Sequence, residues 1–175
     1  MNFWIQVSHP RTTGKFDEND ETLDEAIETV FPLYTEKVIM VWNGVYIPLG
    51  YKYDLSVMME DILVMLEKLG KSSSGMHKVH WPSNTFSSIW NLQWEENHLE
   101  IDTKWFSLVG YTEALLLQRS VLKIDKNSFT QEWKRLLGNI LLALEECGYR
   151  SVMLPGMKRL ERQHNIISGE GILYR

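Results

Sequence analysis

Apolar and polar positions recur along this chain with two spacings, and the switches between them mark its elements. Phe3 to Val7 reads as a strand closed by His9-Pro10, and Arg11 to Asp20 as a polar, glycine-containing mobile loop. Thr22-Leu23-Asp24-Glu25 matches a capping box, in which Thr22 and Glu25 satisfy free helix donors reciprocally. Ala26, Ile27, Val30 and Phe31 follow at helical spacing until Pro32, leaving Asp24, Glu25 and Glu28 outward. Val38 to Trp42 and Val45 to Leu49 flank Asn43-Gly44, the dipeptide best suited to a type I′ hairpin turn. Asp54 or Ser56 is placed to cap the next helix, whose stripe is Met58, Ile62, Met65, Leu66 and Leu69, with Gly70 at its end. Lys71 to Gly75 reads as a flexible connection.

The middle of the chain turns to period 2. Trp90, Leu92 and Trp94 share one face of a strand over Ser88 to Trp94, and Glu95-Glu96-Asn97 turns the chain. Leu99, Ile101, Thr103 and Trp105 then alternate with His98, Glu100, Asp102 and Lys104, giving one wet face. Ala114 to Asp125 reads as a third strand of the meander. Ser128 with Gln131 opens a long helix with Phe129, Trp133, Leu136, Leu137, Ile140, Leu141 and Leu144 inward, ended by Gly148. A short helix near Met157 to Gln163 and a strand at Gly171 to Tyr174 complete the pattern. Strands and helices in groups, without strict alternation, predict an α+β fold. The expectation is one domain over residues 1–175, a central antiparallel sheet of meander and hairpins packed by about three helices.

Composition narrows this picture little. A 44% hydrophobic, 23% charged chain is ordinary for a globular protein, and its size needs no disulfide or metal to fold. Seven Trp, seven Tyr and six Phe exceed what such a core strictly needs, so some rings are candidates for contacts. Cys147 is the only cysteine, which points to a reducing compartment. The N-terminus lacks the basic and apolar regions of a signal peptide, and no apolar run approaches membrane-spanning length. A cytoplasmic protein is expected.

Fragments that resemble chemical motifs fail on spacing. Gly70-Lys71-Ser72 has Met65 where a phosphate-binding loop needs glycine, and its lysine follows a helix where it should open one. Ser168-Gly169-Glu170-Gly171 lacks the lysine and reads as a turn. His77 and His80 are three apart, on opposite faces if they lie in a strand, with no third ligand at a clear spacing. Cys147 sits at a helix C-terminus, where the dipole disfavours a thiolate, and reads as a buried structural residue. No local motif announces a catalytic triad. The expectation is a protein that is not an enzyme and needs no cofactor or metal.

Charge placement says more. The net charge of −5 argues against nucleic acid as a ligand. Asp17, Glu18, Asp20, Glu21, Asp24, Glu25 and Glu28 set seven carboxylates within twelve residues, while Arg150, Lys158, Arg159 and Arg162 gather late. Such asymmetry either steers a charged partner or is a solvated helix face.

Three stretches carry a resemblance to a known class. They are Trp42-Asn43-Gly44-Val45-Tyr46-Ile47-Pro48-Leu49 with Tyr53-Asp54-Leu55-Ser56, Trp105-Phe106-Ser107-Leu108-Val109-Gly110, and Phe129-Thr130-Gln131-Glu132-Trp133-Lys134-Arg135-Leu136-Leu137 running on to Gly148-Tyr149. Over roughly residues 38 to 150 the chain resembles immunity proteins of bacterial polymorphic toxin systems, of the kind encoded beside contact-dependent growth inhibition toxins. The resemblance implies a cytoplasmic protein that binds a cognate toxin domain and blocks its active site or a neighbouring surface. If the toxin is a nuclease it presents a basic face, and clustered carboxylates meet such a face with fast, salt-sensitive association. The expected toxin-facing surface is Asp17, Glu18, Asp20, Glu21, Asp24, Glu25 and Glu28, joined by Glu95, Glu96, Glu100 and Asp102, with an exposed Trp or Tyr as anchor. Two other classes fit the same residues: an interaction or scaffold domain unconnected with toxins, and an enzyme whose site is assembled only in space.

Overall fold

In the computed structural model, which describes residues 2–167, the element order is β1 (Phe3–Gln6), α1 (Leu23–Val30), β2 (Val38–Trp42), β3 (Val45–Leu49), α2 (Ser56–Lys71), β4 (Ser74–Pro82) and β5 (Phe86–Glu95). It continues through β6 (His98–Leu108), α3 (Glu113–Leu117), β7 (Val121–Asp125), α4 (Lys126–Glu146) and α5 (Pro155–Ile167). The class is α+β as expected, but two antiparallel sheets replace the single central one, ordered β1-β2-β3 and β4-β5-β6-β7. Five helices among the described residues replace the three expected. The strand expected over Gly171 to Tyr174 and the turn at Ser168 to Gly171 lie outside the described residues.

The strongest local signals give the elements they predict. Thr22 Oγ1 accepts the Glu25 N–H, and the Glu25 carboxylate accepts the Thr22 N–H at 3.1 Å, so the capping box is complete. Leu23, Ala26, Ile27 and Val30 are buried, and each large member contributes about 1.5–3 kcal/mol by leaving water. Asn43 at φ 46° and Gly44 at φ 82° make the primed turn of the β2–β3 hairpin, registered Trp42 opposite Val45. Gly148 at φ 105° follows the last turn of α4, and Cys147 beside it is buried.

Weaker signals were misread, each for a physical reason. α2 runs on through Gly70 to Lys71, and β4 begins at Ser74, so the supposed flexible connection is two residues of turn. Gly75 stands second in β4, where the Trp94 indole crosses it from β5: a Cβ there would lie 2.5 Å from Trp94 Cζ2. Ala114 to Asp125 divides into α3, a break over Gln118 to Ser120, and β7. Helix α4 starts at Lys126, two residues before Ser128, because Asp125 is its N-cap and accepts the Ser128 N–H at 2.7 Å. Gln131 has no capping role and donates to the Ile167 carbonyl at 2.9 Å. Neither Asp54 nor Ser56 caps α2, whose N-cap Leu55 makes no side-chain bond. α5 is longer than Met157 to Gln163, beginning at Pro155 where a missing N–H costs nothing. Arg11 to Asp20 is tied down: the Thr13 N–H donates to the Val30 carbonyl at 2.8 Å, and Phe16 packs on Tyr149 with ring centroids 4.8 Å apart.

One hydrophobic core joins the sheets and helices. Six of the seven tryptophans are buried in it. Trp42 of the three-stranded sheet meets Trp90 at 5.1 Å and Trp105 at 5.4 Å in the four-stranded sheet, and Trp81 stacks towards Trp133 of α4 at 6.4 Å. Tilted and edge-to-face pairs of this kind are worth about 0.5–1.5 kcal/mol each beyond area burial. At the same junction Trp42 Nε1 donates to the Arg119 carbonyl at 2.9 Å. The Asn43 amide donates to the Arg119 and Val121 carbonyls, and the Arg119 guanidinium returns a bond to the Asn43 carbonyl.

Candidate functional surface

The acidic segment leading into α1 is held by bonds within itself and by bonds to Tyr149 and Ser56. Asp17 closes a turn by accepting both the backbone and side-chain N–H groups of Asn19 at 2.9 Å, which lowers its pKa. The Tyr149 hydroxyl donates to the Asp20 carboxylate and accepts the Asp17 N–H at 3.1 Å. Burial, and then the Asp20 bond, push that phenol up to about 12. Glu25 accepts the Glu21 and Thr22 N–H groups, and the Glu21 bond is the main reason its pKa is lowered. Glu28 accepts from Ser56 Oγ at 3.3 Å. Four of the seven carboxylates therefore hold the segment in place, while Glu18, Glu21 and Asp24 make no side-chain bond of this kind. No basic residue occurs from Phe16 to Glu36, so the segment's own charge has one sign.

The second predicted group lies elsewhere, on the outer face of the four-stranded sheet. Glu95 and Glu96 are at the β5–β6 hairpin tip, where Glu96 takes φ 51°. Glu100 and Asp102 point outward from β6 beside Lys123 and Val121 of β7. Glu100 pairs with Lys123 at 2.9 Å, and Lys78 and Lys104 are exposed on the same face. This face is mixed in charge, unlike the α1 segment, and α1 packs on α2, α4 and α5 rather than on this sheet. The structure thus places the eleven predicted carboxylates in two separate groups. A hollow of about 640 Å³ opens beside the hairpin tip, lined in part by Glu95, His98, Glu100 and Asp125.

No tryptophan is available as an exposed anchor; only Trp4 is even half-buried, packed edge-on against Tyr46 at 6.2 Å. Tyrosines are: Tyr34, Tyr46, Tyr53 and Tyr111 are all exposed. Tyr111 is 93% exposed and belongs to an apolar stretch that sequence reading missed, with Phe106, Val109, Leu115, Leu117 and Val121 also exposed. Phe106 owes its position to a β-bulge: Ser87 pairs with Ser107 and Ser88 with Trp105, leaving Phe106 unpaired and turned out. Between Trp105 and Gln118 the one charged residue is Glu113, whose carboxylate accepts the Leu108 N–H at 2.7 Å. From Ala114 on the stretch reads as strand in the sequence, because a five-residue helix leaves no periodic trace.

A buried polar cluster was also unforeseen. Asp54, 4% exposed, accepts the Gly50 N–H at 2.7 Å, the Thr85 hydroxyl at 2.5 Å and the Ser83 hydroxyl. It ties the turn before α2 to the β4–β5 connection. Tyr53 beside it takes φ 76° and donates its N–H to Ser56 Oγ at 3.0 Å. His77 and His80 lie on opposite faces of β4, as residues three apart must. His77 Nδ1 meets Lys68 Nζ at 3.0 Å, and burial, followed by that ammonium, lowers its pKa. Among the described residues no group of three His, Cys, Asp or Glu side chains could hold a metal ion, and no helix is long and apolar enough to cross a membrane.

Comparison with protein-family models, with curated proteins and with solved structures finds no match to this chain.

Proposed function

We propose that the protein is a cytoplasmic immunity protein that binds a cognate toxin domain, a nuclease or another enzyme with a basic face, and occludes its active site or an adjacent surface. The observation that carries this reading is the pinned acidic segment Asp17 to Glu28, where local bonds hold a one-signed cluster in place before any partner arrives. Preorganised charge of this kind raises association rates and loses its effect in salt. The exposed apolar stretch around Tyr111 offers the uncharged, aromatic-bearing contact that commonly dominates binding energy.

The test separates steering from folding. Glu18, Glu21 and Asp24 are reversed to lysine together, sparing Asp17, Asp20, Glu25 and Glu28 because they hold the segment. Association with the toxin domain encoded beside the protein is followed at low and high salt. The association rate constant is expected to fall at least about tenfold at low salt and to converge with wild type at high salt. An unchanged rate at low salt would remove the segment from the interface. Failure of the wild-type protein to bind that toxin or rescue growth would remove the immunity reading.

A further inference from the structure

Among the described residues the four sheet edges are treated unequally. On β1 the Ile5 N–H donates sideways to the Glu132 carboxylate of α4 at 3.0 Å, so a foreign strand finds that position taken. β3 carries Pro48, which offers no N–H at the edge where strand prolines belong. On β7 the Val121 carbonyl is occupied by the Asn43 amide at 2.9 Å, and α4 begins directly after the strand. β4 is different. Its nine residues pair with β5 on one side, and among the described residues no hydrogen bond reaches the backbone of Ser74 to Pro82 from the other. A long edge with free backbone groups is a template for another strand.

We infer that β4 accepts an extended, acidic segment of a partner protein as a fifth, antiparallel strand. The choice of occupant follows from charge. The protein is acidic, yet Ser74 to Pro82 contains no carboxylate and has Lys78 at its centre with His77 and His80 beside it. Its exposed outer positions, Met76, Lys78 and His80, are backed on β5 by the uncharged Gln93, Asn91 and Ile89. An added strand therefore meets an apolar position, a cation and an imidazole in alternation. Cross-strand pairing rewards a hydrophobe opposite Met76 and carboxylates opposite Lys78 and His80. A second copy of this chain is the poorer occupant, since two-fold antiparallel pairing centred on the strand sets Lys78 against Lys78. The site does not depend on the partner being a toxin.

The experiment uses the full chain and a fluorescein-labelled, capped peptide, Thr-Glu-Thr-Glu-Thr-Leu-Thr, with Thr-Lys-Thr-Lys-Thr-Leu-Thr as control. The Glu peptide is expected to bind with amide shifts confined to β4 and its neighbour β5, and the Lys peptide to bind more weakly. Lys78→Glu, at an exposed position that leaves the core intact, is expected to weaken the Glu peptide about tenfold and reverse the preference. N-methylating alternate residues of the peptide removes its donors on one side at a time. One of the two alternate sets is expected to abolish binding while the other leaves it unchanged. Binding insensitive to both sets, shifts away from β4, no binding at all, or a chain already dimeric through β4 would each overturn the inference. None of these outcomes bears on the charge-reversal test at α1, so the two readings fail separately.

Discussion

Removing the Asp54 carboxylate is expected to cost more than any other single polar change in the described structure. The side chain is 4% exposed and receives three donors: the Gly50 N–H, the Ser83 hydroxyl and the Thr85 hydroxyl. In Asp54→Ala the Gly50 N–H is left unpaired, and a buried donor without a partner costs about 1–3 kcal/mol. The hydroxyls can rotate, but each loses a charge-assisted bond whose net worth is about 1 kcal/mol or more. The sum is about 3 kcal/mol, which for a chain of this length lowers Tm by about 6–12 °C. Asp54→Asn behaves differently. Its carbonyl can accept from Gly50 while its amide donates to the two hydroxyl oxygens, so every group stays satisfied and the loss is about 1–2 kcal/mol. Urea unfolding at pH 7 with an unchanged m value is the assay. A loss below about 1 kcal/mol for Asp54→Ala, or equal losses for Ala and Asn, would refute the reasoning.

Two further outcomes follow from the same geometry. Stability is expected to decline with acid in two stages. His77 has a lowered folded pKa, so its contribution is complete above its unfolded value near 6.5 and is lost as pH falls through the folded value. Glu67, lowered chiefly by its bonds to Arg159, contributes above its unfolded value near 4.5 and loses that contribution below it. Urea midpoints measured from pH 8 to 3 should show both stages, with Glu67→Gln making the lower one shallower while Asp17, Glu25 and Glu36, also lowered, keep the rest; a pH-independent midpoint would contradict the assignment. Gly75→Ala drives a methyl into the Trp94 indole, 2.5 Å from Cζ2, and is expected to cost about 1–3 kcal/mol and shift Trp94 fluorescence. An unchanged midpoint would mean that the indole does not rest there.

What could be read from the chain divides along physical lines. The β2–β3 hairpin and the α1 capping box were legible to the residue because Asn43-Gly44 and Thr22-x-x-Glu25 act within a few residues of backbone. β4 was not, because its inward positions begin with Gly75 and His77, shaped by a tryptophan on the neighbouring strand and a lysine on α2. The division into two sheets was hidden for a similar reason: periodicity says which face of a strand is apolar and leaves open which strand lies beside it. Reading Asp24, Glu25 and Glu28 as an outward face was right for Glu25, while Asp24 and Glu28 are half-buried. The uses of Glu25 and Glu28 in holding Glu21 and Ser56 could not be seen without the turns that present those partners. Asp54 was expected as a helix cap, a role set by sequence neighbours. Its partners Ser83 and Thr85 are about thirty residues away.

The junction at Trp42 also makes the molecule its own optical gauge. Indoles with centroids 5.1–5.4 Å apart interact strongly enough for their excited states to mix; the two pairs made by Trp42 join one sheet to the other, while Trp81 and Trp90, 5.1 Å apart, couple within the four-stranded sheet. The part of the circular-dichroism couplet that Trp42→Phe removes therefore reports sheet-to-sheet docking, whereas the amide signal reports only that each sheet exists. Should the sheets part while keeping their own hydrogen bonds, the Trp42 share of the couplet would vanish first and the Trp81–Trp90 share would stay, and the interval between that loss and the amide signal would measure how independent the halves are.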